Sequence, residues 1–255
     1  MNSVNKTLYI PLRGKAYVSR KGIILRDPKA EEIWASEGFP LKGKSASKWL
    51  AYYMGMRAAV FDRWVKEQMD KDPYAIVLHI GCGMDSRYHR VGRDEHPWFD
   101  VDFPEVIAQR RRYYMEKGEY RMIGADVTDP HWLDALPGGN AIVVMEGVSM
   151  YLPPEKLKEA VDAMVAHFHG VRLLMDCYTN FAARASRYKN PINDVGVTQV
   201  YGMDDPRTLD GFVRELEMTP PDLVAELQGM EGRIFRKLYA GTIARKMYRL
   251  YEYRR

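Results

Sequence analysis

The stretch from Ala75 to Arg87 does most to limit what this chain can become. An apolar run, Ala75-Ile76-Val77-Leu78-His79-Ile80, stops at Gly81-Cys82-Gly83 and continues as Met84-Asp85-Ser86-Arg87. A short run that is apolar on both faces suits a strand of a parallel sheet covered on both sides. Gly81 and Gly83 then permit a tight turn and let backbone N–H groups approach a ligand without a Cβ in the way. By itself this is a strand leading into a glycine turn, which many α/β proteins possess.

The rest of the chain repeats the alternation. Trp98–Asp102, Tyr120–Gly124, Ala141–Met145 and Val171–Asp176 read as further strands. Between them lie helical patterns at Ser86–Val91, from Pro104 to about Lys117, in a turn over Trp132–Leu136, and after Pro153-Pro154. Strands alternating with helices predict an α/β fold with a doubly wound, mostly parallel sheet. Upstream, Leu8 to Lys44 looks irregular, apart from a short helix over Pro28–Glu37 with Asp27 as its cap. A long helix is expected over Ser47–Lys71, with Leu50, Tyr53, Met54, Phe61, Trp64 and Val65 on its apolar face. Arg57 interrupts that face, so it must snorkel, pair with a buried acid or reach a ligand carboxylate. Beyond Cys177 the pattern loosens. Pro206–Glu217 and Pro221–Leu227 read as helical, and the alternation of Tyr248, Leu250, Tyr251 and Tyr253 reads as a closing antiparallel strand.

With 255 residues, one domain is expected. Residues 1–72 would form an N-terminal helical segment, 73–177 the ligand-binding core and 178–255 a cap and substrate region. A formal charge of +4 is too small to point to nucleic acid. The two cysteines, Cys82 and Cys177, form no C-x-x-C pair, so neither a zinc site nor a disulfide framework is expected. No secretory signal and no membrane span is visible, which suggests the cytoplasm.

The acids narrow the ligand. In an open parallel sheet, ligands bind beyond the carboxyl ends of the strands. Asp85, Asp102, Asp126 and Glu146 follow or end the first four strands in turn. Asp85 beside a phosphate would cost on the order of 4 kcal/mol for charges 4 Å apart at an effective dielectric of 20. A phosphate-free ligand with an amino group, a sulfonium, a ribose diol and an adenine fits better. Asp102, about twenty residues after the glycine turn, is at the distance at which an acid accepts from ribose hydroxyls. These are the features of S-adenosylmethionine.

At this point the chain resembles the leucine carboxyl methyltransferase family, which includes O-methyltransferases of tetracenomycin-type polyketide synthesis. The matching stretches are Gly81–Arg87, Phe99–Val106, Ala125–Val127 with Trp132, and Glu146–Leu152. The resemblance implies a Rossmann-like methyltransferase fold with S-adenosylmethionine as methyl donor and no metal. It implies Lys15 and Arg57 for the methionine carboxylate, and Gly81 for the turn facing the amino acid part. It also implies Asp102 for the ribose, Asp126 with Val127 for the adenine side, and Glu146 near the methionine end. Gly83 and Asp85 belong to the same glycine turn, and Tyr151 is associated with the acceptor pocket. Asp100 and Ser86 depart from the more frequent glutamate and threonine of the family, both conservatively.

The expected reaction is O-methylation of a small-molecule hydroxyl or carboxylate, phenolic or polyketide-like. Methylation of a protein C-terminal carboxylate is an alternative, against which the short cap counts. Nucleic-acid base methyltransferases commonly carry Asn/Asp-Pro-Pro-aromatic where this chain has Glu146-Gly147-Val148-Ser149. A non-catalytic S-adenosylmethionine-binding module is the alternative of another class. His79 reads as a core residue, while His89, His96 and His131 read as loop or surface groups. Arg110-Arg111-Arg112 reads as a solvated basic face.

Overall fold

The computed structural model describes residues 5–189, 192, 193, 196, 197, 199–241, 244 and 246–255. Three helices come first: α1 (Tyr9–Arg20), α2 (Pro28–Glu37) and α3 (Lys48–Lys71). The alternating core follows as β1 (Ile76–Ile80), α4 (Arg87–Val91), β2 (Trp98–Asp102), α5 (Pro104–Arg110), β3 (Tyr120–Gly124), β4 (Asn140–Met145), α6 (Pro154–His167) and β5 (Gly170–Tyr178). The remainder forms α7 (Asn180–Lys189), β6 (Phe212–Leu216), α8 (Pro221–Ala225), α9 (Gly229–Leu238) and β7 (Tyr248–Arg254).

The strands make one sheet in the order β3-β2-β1-β4-β5-β7-β6. β1 to β5 pair in parallel, and β7 is antiparallel to both of its neighbours. Strand order reverses between β1 and β4, which is where ligands lodge in open α/β sheets. The inner strands are apolar because helices cover both faces, so β1 is buried throughout. One core holds α1, α3 and one face of the sheet, and the other packs α6 with Trp132 and Leu133 against the opposite face. Among the described residues no helix is long and apolar enough to cross a membrane.

Three expectations about local structure need correction. The irregular stretch expected from Leu8 contains α1. Pro11 lies in its first turn, where a missing N–H costs no intrahelical bond. Gly14 is there for close packing, since a Cβ would stand 3.3 Å from the Ala51 carbonyl oxygen of α3 and closer still to Met54. Pro206–Glu217 is not a helix. A short 3-10 turn ends at Leu209, Asp210 and Gly211 take positive φ, and the chain enters β6 against β7. The helix from Pro104 ends at Arg110 rather than near Lys117.

Arg110 also corrects the reading of a solvated basic face. It is fully buried, pairs with Asp100 and lies over the Tyr114 ring, 4.1 Å from its centroid. His96, expected in a loop or at the surface, does lie in a loop but is buried there, with Nδ1 2.8 Å from the Ala75 carbonyl.

Candidate functional site

A cavity of 640 Å³ opens at the carboxyl end of the sheet, within the usual range for small-molecule sites. All ten residues expected from the sequence line it or adjoin its lining: Lys15, Arg57, Gly81, Gly83, Asp85, Asp102, Asp126, Val127, Glu146 and Tyr151. The topology divides the lining. Gly81, Asp102 and Asp126 stand at the ends of β1, β2 and β3. Arg57, Tyr53, Tyr151, Tyr178 and Tyr248 gather over the β4, β5 and β7 side.

Gly81 and Gly83 take φ values of +63° and +50°. A Cβ at Gly81 would overlap the Val148 side chain, so the turn is both left-handed and closely covered. The turn is tied to β2, because the Gly81 N–H donates to the Val101 carbonyl at 2.7 Å and the Gly83 N–H to Asp102 Oδ2 at 2.8 Å. Asp102 Oδ1 accepts the Phe103 N–H at 2.8 Å. Each Asp102 oxygen therefore holds one backbone N–H and keeps a lone pair for another donor, which suits a vicinal diol. Burial raises the Asp102 pKa, against the lowering effect of those two N–H groups. Asp126 is exposed, with Oδ1 accepting the N–H and hydroxyl of Thr128 at 2.9 and 2.8 Å. Val127 is half-buried against the second core. Among the described residues there is no cluster of three or more metal-ligating side chains.

Behind this rim lies a buried charge network. Lys15 Nζ is 3.0 Å from Asp85 Oδ2 and 4.0 Å from Glu146 Oε1. Arg57 donates from Nε to Glu146 Oε1 at 3.1 Å, and from Nη1 to Asp176 Oδ2 and the Tyr248 hydroxyl at 2.9 Å each. The Tyr248 hydroxyl donates to the same Asp176 oxygen. Arg87 joins Asp62 at 2.8 Å and Glu146. Arg90 joins Asp27, Asp62 and Asp85 at 2.7, 2.6 and 2.8 Å. Asp85 is thus surrounded by Lys15, Arg87 and Arg90, and its local field is not that of a bare carboxylate. The exclusion of phosphate argued from Asp85 therefore loses its basis, and the identity of the ligand rests on Asp102 and the shape of the turn.

The same network fixes protonation. Burial alone would raise Glu146, but Arg57, Lys15 and Arg87 outweigh it and bring it down to about 2. Asp85 is held well below the carboxylate range, burial being overcome by Arg90, Lys15 and Arg87. Burial raises the phenol pKa values of Tyr53, Tyr151 and Tyr248, which makes them hydrogen-bond donors near neutrality. Burial also lowers His79, whose Nδ1 is 3.1 Å from Asp100 and whose Nε2 is 3.3 Å from Arg87. It is a packed core group, as its strand position suggested.

A pH dependence of stability follows. A carboxylate whose pKa is depressed in the fold contributes stability that is complete above its unfolded value and is lost as pH falls through the folded value. For Glu146 the window runs from its ordinary 4.5 down to about 2. At about 1.4 kcal/mol per pKa unit, its full loss amounts to roughly 3 kcal/mol. Asp102 and Asp176 are raised, so they act in the opposite direction, from their folded values down to the ordinary 3.8. Urea titrations from pH 5 to pH 3 should show stability falling, and Glu146→Gln should flatten that fall. An unchanged slope in the variant would rule out Glu146 as a source.

Sequence reasoning missed Asp27, Asp62, Arg87, Arg90, Asp176 and Tyr248. One signal was present: Asp176 lies near the end of the fifth strand, so the run of strand-end acids was five rather than four.

Comparison with known proteins agrees with this architecture. The family model for leucine carboxyl methyltransferase matches residues 13–165, more than half of the chain. The tetracenomycin polyketide synthesis O-methyltransferase TcmP of Streptomyces glaucescens is 33% identical over 217 residues, 84% of this chain and 80% of that protein. An S-adenosyl-L-methionine-dependent methyltransferase of Gibberella zeae, dpfgK, is 28% identical over 68% of this chain and 64% of its own. Among solved structures, a DUF574 family protein of Streptomyces avermitilis superposes with a TM-score of 0.55 at 15% identity, covering 95% of this chain and 96% of that one. Magnesium protoporphyrin IX methyltransferase of Synechocystis, solved with bound SAH, gives a TM-score of 0.51 at 11% identity, with coverage of 90% and 100%. The two structures speak to the fold, and the sequence matches speak to descent. This chain belongs to the leucine carboxyl methyltransferase family.

Proposed function

We propose that this chain is an S-adenosylmethionine-dependent O-methyltransferase that methylates a carboxylate of a small aromatic acceptor. The observation that carries the reading is the division of one cavity into two chemically different sides. The β1–β3 side offers a glycine turn, the ribose-type carboxylate of Asp102 and the exposed carboxylate of Asp126. The β4–β7 side offers apolar walls and tyrosine hydroxyls.

S-adenosylmethionine, when bound, supplies a methyl group on an already activated, sulfonium-bound carbon. The chain then has to bind, align and exclude water, and such positioning is worth roughly 7–11 kcal/mol. Asp102 would hold the ribose and Asp126, with Val127, the adenine side. The remaining N–H groups of Lys15 and Arg57 would hold the methionine carboxylate. Gly81 lets the backbone approach, and Tyr151 orients the acceptor from the opposite wall.

The acceptor oxygen is read from what surrounds it. A carboxylate with a pKa of about 4 is already ionised and needs no base. Among the described residues on the tyrosine side, Glu146 and Asp176 are both occupied by Arg57, and both nitrogens of His79 have partners. Tyr248 already gives its proton to Asp176, and the protonated phenols of Tyr53 and Tyr151 would donate to an anion rather than take a proton. A phenol acceptor, with a pKa of about 10, would need a base that this arrangement does not supply.

Incubation with methyl-labelled donor and matched aromatic acids and phenols tests the reading. The expected product is a methyl ester, which releases its label in mild base. A base-stable ether formed from the phenols would replace carboxylate by hydroxyl methylation, and labelled peptide C-termini would replace a small acceptor by a protein.

A further inference from the structure

Among the described residues, the lysines and arginines that line the cavity are Lys15 and Arg57. Lys15 is 3.0 Å from Asp85, and Arg57 spans Glu146 and Asp176. The N–H groups they have left are the ones assigned above to the methionine carboxylate. An acceptor carboxylate in the same space therefore has no cation of its own, and neutral donors must hold it. Five tyrosines line the cavity: Tyr53, Tyr151, Tyr178, Tyr239 and Tyr248.

Their hydroxyls are not equivalent. Tyr248 donates to Asp176 and accepts from Arg57. Tyr151 is hydrogen-bonded to Thr7, and Tyr178 has contacts of its own, with Tyr248 among them. The described contacts of Tyr53 and Tyr239 are ring to ring, with no hydrogen bond to either hydroxyl among the described residues. Place separates these two. Tyr239 follows α9 and stacks on Phe235 at 5.2 Å, and burial alone raises its phenol. Tyr53 lies one helical turn before Arg57 on α3, and Leu50 and Met54 line the cavity beside it. Burial raises the Tyr53 phenol too, but Arg57 opposes the rise, and Asp176 and Tyr178 add to it. Its hydroxyl is thus the unpartnered one within the field of the charge network at the methionine end.

We propose that Tyr53 is a catalytic residue that holds the acceptor carboxylate, donating its hydroxyl proton to the oxygen that does not react. The other oxygen forms the new O–CH3 bond while the electron pair of the S–CH3 bond stays on sulfur, and no proton is transferred. A neutral donor suits this task. It fixes the plane of the carboxylate without the ion pair that would tie down the attacking lone pair. Tyr53 also selects for carboxylates, because a phenolate has one oxygen only and the same hydrogen bond would fall on the reacting atom. This inference rests on the proposed methylation of an aromatic carboxylate.

Tyr53→Phe tests it, since the ring contacts with Tyr239 and Tyr248 remain and only the hydroxyl is lost. The probe is 2-naphthoic acid, followed by calorimetry on protein saturated with S-adenosylhomocysteine and by methyl-transfer kinetics. The variant is expected to weaken binding of the acid by at least about tenfold, the low end for a hydrogen bond to a charged group. Its KM for the acid should rise by a similar factor with little change in kcat, because the bond is present before and during transfer. S-adenosylhomocysteine affinity and the thermal midpoint should stay with the wild type. Unchanged affinity and KM for the acid, a loss shared by S-adenosylhomocysteine, or an equal loss in Tyr239→Phe would each overturn the role of Tyr53 alone. A wild-type protein that binds S-adenosylhomocysteine but neither binds nor esterifies the acid would overturn the carboxylate reading, and the inference with it.

Discussion

Replacing Arg57 by leucine is expected to destabilise the fold by about 3–5 kcal/mol and to abolish methyl transfer, because removing one partner of a buried ion pair strands the other. The residue is 5% exposed, and its side chain holds Glu146, Asp176 and Tyr248 together. Glu146 would keep Arg87 and Lys15. Asp176 would keep only neutral donors among the described residues, the Gly147 N–H and the Tyr248 hydroxyl, and its carboxylate is fully buried. Against a typical total stability of about 5–15 kcal/mol, such a loss is large. Lysine should not restore it, since one ammonium cannot reach both acids in the fork geometry of a guanidinium. Asp176→Asn in the Arg57→Leu background should recover part of the loss by removing the stranded charge. Urea denaturation of the three variants checks this, and a loss below about 1 kcal/mol in Arg57→Leu would mean that water or another donor already serves the two acids.

Asp102→Ala is expected to weaken S-adenosylhomocysteine binding by at least about a hundredfold, or roughly 2.8 kcal/mol, with secondary structure retained. Two charge-assisted hydrogen bonds to a ribose, at about 1.5–3 kcal/mol each, are sufficient for this. Asp102→Asn should fall between the two, since its amide can accept on one side only. Calorimetry with circular dichroism on the same samples decides the matter. Near-native affinity in Asp102→Ala would refute the ribose assignment. The Arg57 and Asp102 variants are expected to separate by readout, the first failing in stability and the second in binding.

These residues also show where a sequence can be read and where it cannot. β1 and β4 are short apolar runs bounded by glycine, proline or acid, so burial on both faces writes them plainly into the chain. Asp102 and Gly81 follow from the same logic, because a ligand at the strand ends needs a close backbone and a hydroxyl acceptor. α1 escaped notice because Pro11 and Gly14 look like interruptions, although one is harmless in a first turn and the other makes room for α3. β6 escaped because an edge strand with Phe212, Arg214 and Glu215 exposed carries no clean alternation. The charge network was the least visible. Arg57 and Tyr248 are 191 residues apart, and only the folded sheet brings them to 2.9 Å. An arginine on an apolar helix face announces that a partner exists without naming it.

The position of β7 has a consequence for the order in which this molecule can be assembled. It follows every other described strand in sequence, yet it stands inside the sheet, with β5 on one side and β6 on the other. Until Tyr248–Arg254 has been made, β5 presents an open edge and β6 has no strand to join. Such an edge is a template for pairing with another molecule. Tyr248, the first residue of that strand, also completes the partners of Arg57 and lines the cavity. A growing chain therefore completes its sheet and this wall of the cavity in a single event, once β7 has been made. Before that event, chaperone capture or misassembly has an exposed edge to act upon.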